Sequence, residues 1–181
     1  MIVYCATSNP GKLREFQMAA PDFDISPVSL PAPEEHGATF EENVRVKALY
    51  YGAHTQGYLF ADDSGIEVEA LGGAPGVNSA HFDNAWLLDQ MRGVENRSAR
   101  FVCVVALAKD GALVRTFRGS VEGRILDAPR GSSGFGYDPL FYYELFGCTF
   151  GEATLEQKMR VSHRAQALAA MFTYLRGIAS T

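Results

Sequence analysis

The sequence predicts an α/β fold with a mixed, elongated central sheet and flanking helices. Strand-like and helical patterns alternate along the first half of the chain, and a long hairpin pattern then interrupts the alternation. The chain has 181 residues, of which 47% are hydrophobic, so it is long enough to bury a core. We assign residues 1–181 to one domain with two lobes. Polar residues gather where predicted strands end, which is where α/β proteins usually bind ligands.

Composition excludes several classes of protein. The net charge of −5 argues against a protein that coats nucleic acid through bulk positive charge. Three cysteines without CxxC spacing argue against a disulfide framework or a zinc site and favour a reducing cytosol. The longest apolar run, VCVVALA, is far too short to span a bilayer. We therefore expect a soluble, cytoplasmic protein with no nucleic-acid or membrane partner.

The N-terminal part of the chain predicts a strand, a helix and a second strand. MIVYCAT has the apolar composition of a buried strand, and a helix over about residues 10–20 follows it. Asn9 is a typical helix-capping residue, and Pro10 suits the first helical position. DFDIS indicates a short strand, and the proline-rich segment PVSLPAPEEHG indicates a loop.

TFEENVRVKALYYGAH has the clearest helical pattern in the chain. Thr39 and Glu42 have the spacing of a capping box, in which each side chain bonds the other residue's backbone N–H. The apolar stripe of this helix consists of Phe40, Val44, Ala48 and Tyr51.

The middle of the chain reads as strands separated by turns. YLFAD and IEVEAL are predicted as two strands on either side of a turn at Asp62-Asp63-Ser64-Gly65. NAWLLDQMRG indicates a helix, and residues 100–125 indicate two long strands joined at residues 109–111. Residues 135–150 hold seven aromatics in strand and loop, and a helix capped by Ser162 closes the chain.

The first polar cluster is Thr7, Asn9 and Lys12, where the first strand ends and its helix begins. Amide groups at a helix N-terminus, with a lysine one turn in, form a phosphate site. An ordinary capped helix with a surface lysine is the alternative explanation.

The second cluster combines Glu35 in the proline-rich loop with Glu42, Asn43 and Lys47 on the next helix. Asn43 and Lys47 are four residues apart and share one helix face. Capping alone explains Glu42, and a solvated lysine is the ordinary explanation of Lys47.

The third cluster is Asp62 with Asp63, two adjacent carboxylates that repel each other. Together with Glu35 they could bind Mg²⁺, which takes one or two carboxylates plus substrate phosphates and water. The second carboxylate could then accept a proton from an attacking water. A turn between the two residues would bring both side chains to one site, but Asp-Asp-Ser-Gly is also an ordinary turn sequence.

The fourth cluster joins SSGFGYDP to KMRVSHRAQAL. Phe135 between Gly134 and Gly136 could stack on a planar heterocycle, and core packing is the alternative. His163 and Arg164, with Lys158 upstream, could donate to an oxygen on a base edge. Together the four clusters match the needs of a nucleoside triphosphate with magnesium.

The chain resembles the inosine/xanthosine triphosphate pyrophosphatases, which remove deaminated purine nucleotides. The resemblance rests on ATSNPGKLREF, TFEENVRVKA, ADDSGIEVEALGGAPGVNSAHF, GFGYDPLF and KMRVSHRAQAL, in family order and spacing. It implies a substrate cleft between two lobes, a homodimer, and Mg²⁺-dependent hydrolysis of a nucleoside triphosphate to the monophosphate and pyrophosphate. His81 stands where the family commonly has arginine.

The resemblance also implies roles for individual residues. Asp63 is the proton acceptor and a metal ligand, and Glu35 and Asp62 are further metal ligands. The implied substrate-binding residues are Thr7, Ser8, Asn9, Pro10, Gly11, Lys12, Lys47, Ser64, Phe135, Gly136, Tyr137, Asp138, Lys158, His163 and Arg164.

Two alternative functions remain open at this point. One is a related pyrophosphatase for ordinary or pyrimidine nucleoside triphosphates, which the base pocket would decide. The other is a nucleotide sensor that binds without hydrolysis, which the acidic set disfavours.

Overall fold

The structure is a computed structural model, and it describes residues 1–180. The strands in this range are β1 (Ile2–Ala6), β2 (Asp24–Pro27), β3 (Tyr58–Val68), β4 (Ser98–Lys109), β5 (Ala112–Ile125), β6 (Phe141–Tyr143) and β7 (Cys148–Thr149). The helices are α1 (Pro10–Ala19), α2 (Phe40–Gly52), α3 (Asn84–Gln90), α4 (Leu155–Lys158) and α5 (His163–Ala179). Across residues 1–180, none of these helices combines the length and the apolar composition that crossing a bilayer requires.

The strands form one mixed sheet in the order β2-β1-β3-β4-β5-β6-β7. β1 pairs in parallel with β2 and β3, whereas β6 pairs antiparallel with β5 and β7. The predicted α/β class with a mixed sheet is therefore confirmed.

Local signals placed the early helices and the long hairpin correctly. The Asn9 side chain caps α1 by accepting hydrogen bonds from the N–H groups of Gly11 (2.8 Å) and Lys12 (3.2 Å). Asp110 and Gly111 connect β4 to β5 with positive φ angles of 49° and 81°. A two-residue turn of this hand matches the twist of the strands that it joins.

The predicted capping box of α2 forms only in part. The Thr39 hydroxyl accepts a hydrogen bond from the N–H of Glu42 at 3.1 Å, as expected. The Glu42 carboxylate, however, accepts from the N–H of Ala38 at 2.7 Å instead of from Thr39. The helix therefore also holds the end of the preceding loop.

The predicted turn at residues 62–65 is wrong, because β3 continues unbroken through it. Phe60, Ala61 and Ile66 are almost fully buried on either side of the acidic pair. Burial of this segment in the sheet outweighs the turn preference of Asp-Asp-Ser-Gly. Successive strand side chains point to opposite faces, so Asp62 and Asp63 point away from each other.

The sequence analysis did not predict one short helix, α4. α4 begins with a complete capping box between Thr154 and Gln157, with hydrogen bonds of 3.1 and 2.8 Å. The Thr-x-x-Gln spacing is a recognised helix-start signal and would have indicated this helix.

The chain forms two compact units. The first contains residues 1–63, residues 103–119 and the stretch from Arg164 onward, and its buried core includes Val3, Phe16, Phe60, Leu107 and Phe172. The second contains residues 64–102 and 120–163, and its buried core includes Ile66, Leu87, Phe101, Phe141 and Phe150. Each of the two units contains some of the polar residues that the sequence analysis singled out.

Candidate active site

Asp62 is the centre of a buried ionic network in the first unit. Its side chain is 1% exposed, and Oδ1 accepts a hydrogen bond from Lys12 Nζ at 3.0 Å. Oδ2 accepts from Arg164 Nε at 3.1 Å. Burial raises the pKa of Asp62, but the charges of Lys12, Arg164 and Lys47 outweigh it and hold the pKa well below its usual range. Cations of the protein thus occupy both oxygens, an arrangement that disfavours the predicted metal-ligand role of Asp62.

Arg164 connects this network to a carboxylate that the sequence interpretation missed. Its guanidinium is 2% exposed and donates through Nη1 to Glu15 Oε2 as well as through Nε to Asp62. Glu15 lies on α1 and is 1% exposed. No sequence signal pairs residues 149 positions apart. The predicted contact of Arg164 with a base stays a prediction, and its contacts here are with carboxylates.

The carboxylate of Asp63 has a contrasting environment. Its side chain is buried, and Oδ2 has no hydrogen-bond partner among the described residues. Burial raises the pKa of Asp63 to about 6; the negative charges of Glu35 and Asp62 add to this, and Lys47 opposes it. A buried carboxylate with an unpartnered oxygen and a pKa near neutrality is typical of a functional site.

Lys47 and Glu35 form an ion pair beside Asp63. Lys47 Nζ lies 2.6 Å from Glu35 Oε1 and donates to the backbone oxygen of Asp62 at 3.2 Å. Burial lowers the pKa of Lys47, but the charges of Asp62 and Glu35 more than offset this and raise it. The side chains of Lys47 and Glu35 are 15% and 29% exposed, so a ligand can reach both.

The acidic residues fit a divalent cation that arrives with other ligands. Within residues 1–180 no three His, Cys, Asp or Glu side chains converge as a ready metal site. Glu35 is nevertheless close enough to Asp63 to raise its pKa by repulsion, and one Asp63 oxygen has no hydrogen-bond partner among the described residues. One or two carboxylates completed by phosphate oxygens and water suit a small, hard cation better than an all-protein cage does.

The segment from Thr7 to Lys12 leads into α1 and includes its N-cap and first residues. The Thr7 hydroxyl accepts a hydrogen bond from the N–H of Asn9 at 3.1 Å. The Asn9 side chain already engages the amides of Gly11 and Lys12, two of the groups expected to receive phosphate. Ser8 and Pro10 are exposed at the beginning of the helix. The structure brings this segment to Asp62 through Lys12.

In the second unit, an ion pair supports the aromatic motif. Lys158 Nζ lies 2.7 Å from Asp138 Oδ2, and both side chains are almost fully buried. The same ammonium lies 4.8 Å from the centre of the Phe135 ring, and the N–H of Phe135 donates to Asp138 at 3.0 Å. A side chain at Gly134 would place its Cβ 2.1 Å from Asp138 Oδ2, so glycine is required there. The ring of Phe135 is therefore held by fixed neighbours.

Tyr137 attaches this motif to the segment after β3. Its hydroxyl donates to the backbone oxygen of Ser79 at 2.6 Å, and the Ser79 hydroxyl accepts from the N–H of Ile66 at 2.9 Å. Gly136 accepts a hydrogen bond from the Asn84 side chain at 3.1 Å. Ser79 was missed in the sequence interpretation, because a lone serine in a glycine-rich segment has no distinctive spacing.

The remaining predicted residues of this unit are His163 and Ser64. The His163 ring is buried and stacks on Phe101, with centroids 4.7 Å apart and planes 13° apart. Ser64 is half-buried on β3, directly after Asp63. Predicted residues thus occur in both units. The phosphate and metal candidates lie in the first unit, and the base-recognition candidates lie in the second except for Arg164, which belongs to the first.

Comparison with known proteins identifies relatives that match nearly the whole chain. The model of the Ham1 family matches residues 3–174. A dITP/XTP pyrophosphatase of Acidobacterium capsulatum is 44% identical over 98% of this chain and 99% of that protein. One from Thermus thermophilus is 47% identical over 94% of this chain and 90% of that protein.

Solved structures give the same result. A HAM1 protein from Coxiella burnetii aligns with a TM-score of 0.86 and 36% sequence identity, covering 98% of this chain and 99% of that one. Since the family model matches nearly the whole chain and the relatives align end to end, this chain belongs to the Ham1 family.

Proposed function

We propose that this chain is a nucleoside triphosphate pyrophosphatase that hydrolyses dITP, XTP and ITP to the monophosphate and pyrophosphate. This activity removes deaminated purine nucleotides from the nucleotide pool. The relatives named as dITP/XTP pyrophosphatases support the substrate class. The structural observation that carries the proposal is the buried, unpartnered oxygen of Asp63 beside the Lys47–Glu35 pair.

Asp63 is the proton acceptor of the proposed reaction. With a pKa of about 6 it is mostly ionised near neutral pH and remains basic enough to take a proton from water. The water oxygen bonds to the α-phosphorus, its proton passes to Asp63, and the bond from the α-phosphorus to the pyrophosphate oxygen breaks. Asp62 cannot serve as this base, because Lys12 and Arg164 keep its pKa low.

Glu35 and Asp63 are the residues that would hold the proposed Mg²⁺. When bound, Mg²⁺ neutralises phosphate charge and stabilises the leaving pyrophosphate. Lys12 and Lys47 contribute two further positive charges, and their side chains are 19% and 15% exposed. Asp62 holds the ammonium of Lys12 by a hydrogen bond, so this ammonium is already in place before a phosphate binds.

The motif at the start of α1 and the aromatic motif of the second unit divide substrate recognition in this proposal. Thr7 to Lys12 and Ser64 contact the phosphate side of the substrate. The Phe135 ring, with Gly136, Tyr137 and Asp138 around it, stacks on the base.

Donors near the base favour a 6-oxo group over an amino group. Lys158, His163 and Arg164 are the proposed donors. A donor that faces the amino group of adenine loses its partner, which costs about 1–3 kcal/mol when the site is buried.

Two further expectations are carried by the family resemblance. We propose that the protein acts as a homodimer in the cytoplasm. Light scattering coupled to size-exclusion chromatography tests the dimer, and a monomer at micromolar concentration would contradict it.

A substrate panel tests the proposed function. Pyrophosphate release should be fast with dITP and XTP, much slower with GTP and dTTP, and dependent on added Mg²⁺. Equal rates with dTTP would favour a pyrimidine-directed enzyme. A protein that binds dITP but releases no pyrophosphate would instead be a nucleotide sensor.

A further inference from the structure

The proline-rich loop before α2 lies along that helix in antiparallel direction. Four contacts connect them in order: Tyr51 Oη to the Leu30 oxygen (3.3 Å), Lys47 Nζ to Glu35 Oε1 (2.6 Å), Asn43 Oδ1 to the Gly37 N–H (2.8 Å), and Glu42 Oε2 to the Ala38 N–H (2.7 Å). A single helix therefore determines the path of the loop that carries Glu35.

Asn43 makes the most buried of these contacts near Glu35. Its side chain is 3% exposed and accepts from a backbone amide two residues after Glu35. Hydrogen bonds to buried polar groups are costly to leave unmade, so this contact resists opening. Glu35, by contrast, is 29% exposed, and its carboxylate pairs with a lysine that a phosphate would attract.

Gly37 closes the contact from the loop side. A Cβ at this position would lie 2.5 Å from Asn43 Oδ1 and 2.8 Å from Glu42 Cβ. Any larger residue would push the loop away from α2. The fit therefore depends on a specific residue on each side, and we call the Asn43–Gly37 contact the clip.

We propose that Asn43 is a positioning residue for Glu35, whose carboxylate it holds in place for the cation through the clip. This inference rests on the proposed function, which makes Glu35 a metal ligand. Residues that orient metal ligands typically change metal affinity about 10- to 100-fold when they are lost. Asn43 acts only through the backbone of the loop, so we expect the lower end of that range.

Two variants break the clip from opposite sides. Asn43→Leu removes the acceptor while keeping a similar volume, and Gly37→Ala introduces the clashing Cβ. Both should weaken Mn²⁺ binding to the substrate-free protein about tenfold, measured by electron paramagnetic resonance of free Mn²⁺. Both should also speed deuterium uptake in residues 34–38. Catalysis should need more Mg²⁺ for half-maximal rate, with kcat close to wild type once Mg²⁺ saturates.

Two control variants separate positioning from general destabilisation. Asn43→Asp keeps an acceptor oxygen for the Gly37 N–H and should bind Mn²⁺ with an affinity close to that of wild type. Thr39→Ala removes the α2 cap without touching the clip, so it should lower the unfolding midpoint but leave Mn²⁺ affinity unchanged.

Glu35→Gln provides the reference for losing the ligand itself. It should weaken Mn²⁺ binding more than either clip variant does. If the clip variants bind Mn²⁺ and exchange deuterium like the wild type while Glu35→Gln binds weakly, the positioning role is wrong and the proposed function stands. If Glu35→Gln binds Mn²⁺ normally, the metal assignment of Glu35 is wrong, and deuterium uptake alone then decides whether the clip orders the loop.

Discussion

Asp62 and Asp63 are adjacent in the chain, yet their surroundings differ in charge and in hydrogen bonding. Asp62 has a cation on each carboxylate oxygen and a pKa held well below its usual range. Asp63 is also buried, but one of its oxygens has no hydrogen-bond partner among the described residues, and its pKa is raised to about 6. One extended strand produces both environments, because alternate side chains meet opposite faces of the sheet.

This difference separates two tasks that carboxylates perform in such sites. A carboxylate saturated by fixed cations cannot move a proton near neutral pH, but it can hold those cations in position. A buried carboxylate with an unpartnered oxygen raises the free energy of the ligand-free protein. Binding of a cation or a water to that oxygen lowers the free energy again. Asp62 therefore fits the structural task and Asp63 the chemical one.

The largest expected effect is on turnover. Asp63→Asn removes the proton acceptor without changing the shape of the side chain, so pyrophosphate release from dITP should fall about 100- to 10,000-fold. Binding of dITP, measured by calorimetry with Mg²⁺, should be largely retained. A fully active Asp63→Asn variant would assign the base to another residue.

The next effect is on folding and belongs to Asp62. Asp62→Asn leaves the partly exposed charge of Lys12 and the buried charge of Arg164 without their shared partner. The free energy of unfolding should drop by about 3–5 kcal/mol in urea titrations. A loss below about 1 kcal/mol would show that Glu15 alone satisfies Arg164.

Substitution of Asp63 should stabilise the protein, whereas substitution of Asp62 should destabilise it. Burial raises the pKa of Asp63 from its usual range to about 6, so the folded state binds the proton more tightly than the unfolded state does. Stability from this residue is present below pH 4 and is lost as the pH rises through 6. In metal-free protein, Asp63→Asn should therefore raise the free energy of unfolding by about 1–3 kcal/mol at pH 8 and by little at pH 4. An Asn variant less stable than wild type at pH 8 would contradict this.

The smallest effect concerns a thiol next to Asp62. Cys103 is fully buried with Sγ 3.9 Å from Asp62 Oδ2, and burial together with that charge raises the pKa of the thiol. Labelling by iodoacetamide should be slow in wild type and at least about tenfold faster in Asp62→Asn, because the weakened network opens more often. Asp63→Asn should leave the rate unchanged. Equal rates in wild type and Asp62→Asn would contradict this explanation, because they would show that the Asp62 network does not limit exposure of the thiol.

The parts predicted correctly from the sequence are those governed by local signals. Asn9 and Pro10 start α1, and Asp110-Gly111 turns the hairpin, because each signal involves residues that are close in the chain. The prediction of a turn at residues 62–65 is wrong, because it considered the composition of that segment and not the burial of the residues on either side.

The site could be predicted as a set of residues but not as a set of contacts. Motif spacing identified Glu35, Lys47 and Asp63, which the structure does bring together. Spacing could not show that Arg164 pairs with Glu15, nor that Lys158 pairs with Asp138. Such pairs depend on which buried charges meet after folding, and distance along the chain does not encode that.

The Lys158–Asp138 pair has a consequence for how selectivity responds to ionic strength. The two buried charges neutralise each other behind the Phe135 ring, and dissolved ions screen such pairs poorly. Lys12 and Lys47 in the first unit are 19% and 15% exposed, so dissolved ions screen them more. Added salt should therefore weaken the hold on every triphosphate tail alike and leave the ranking of bases unchanged.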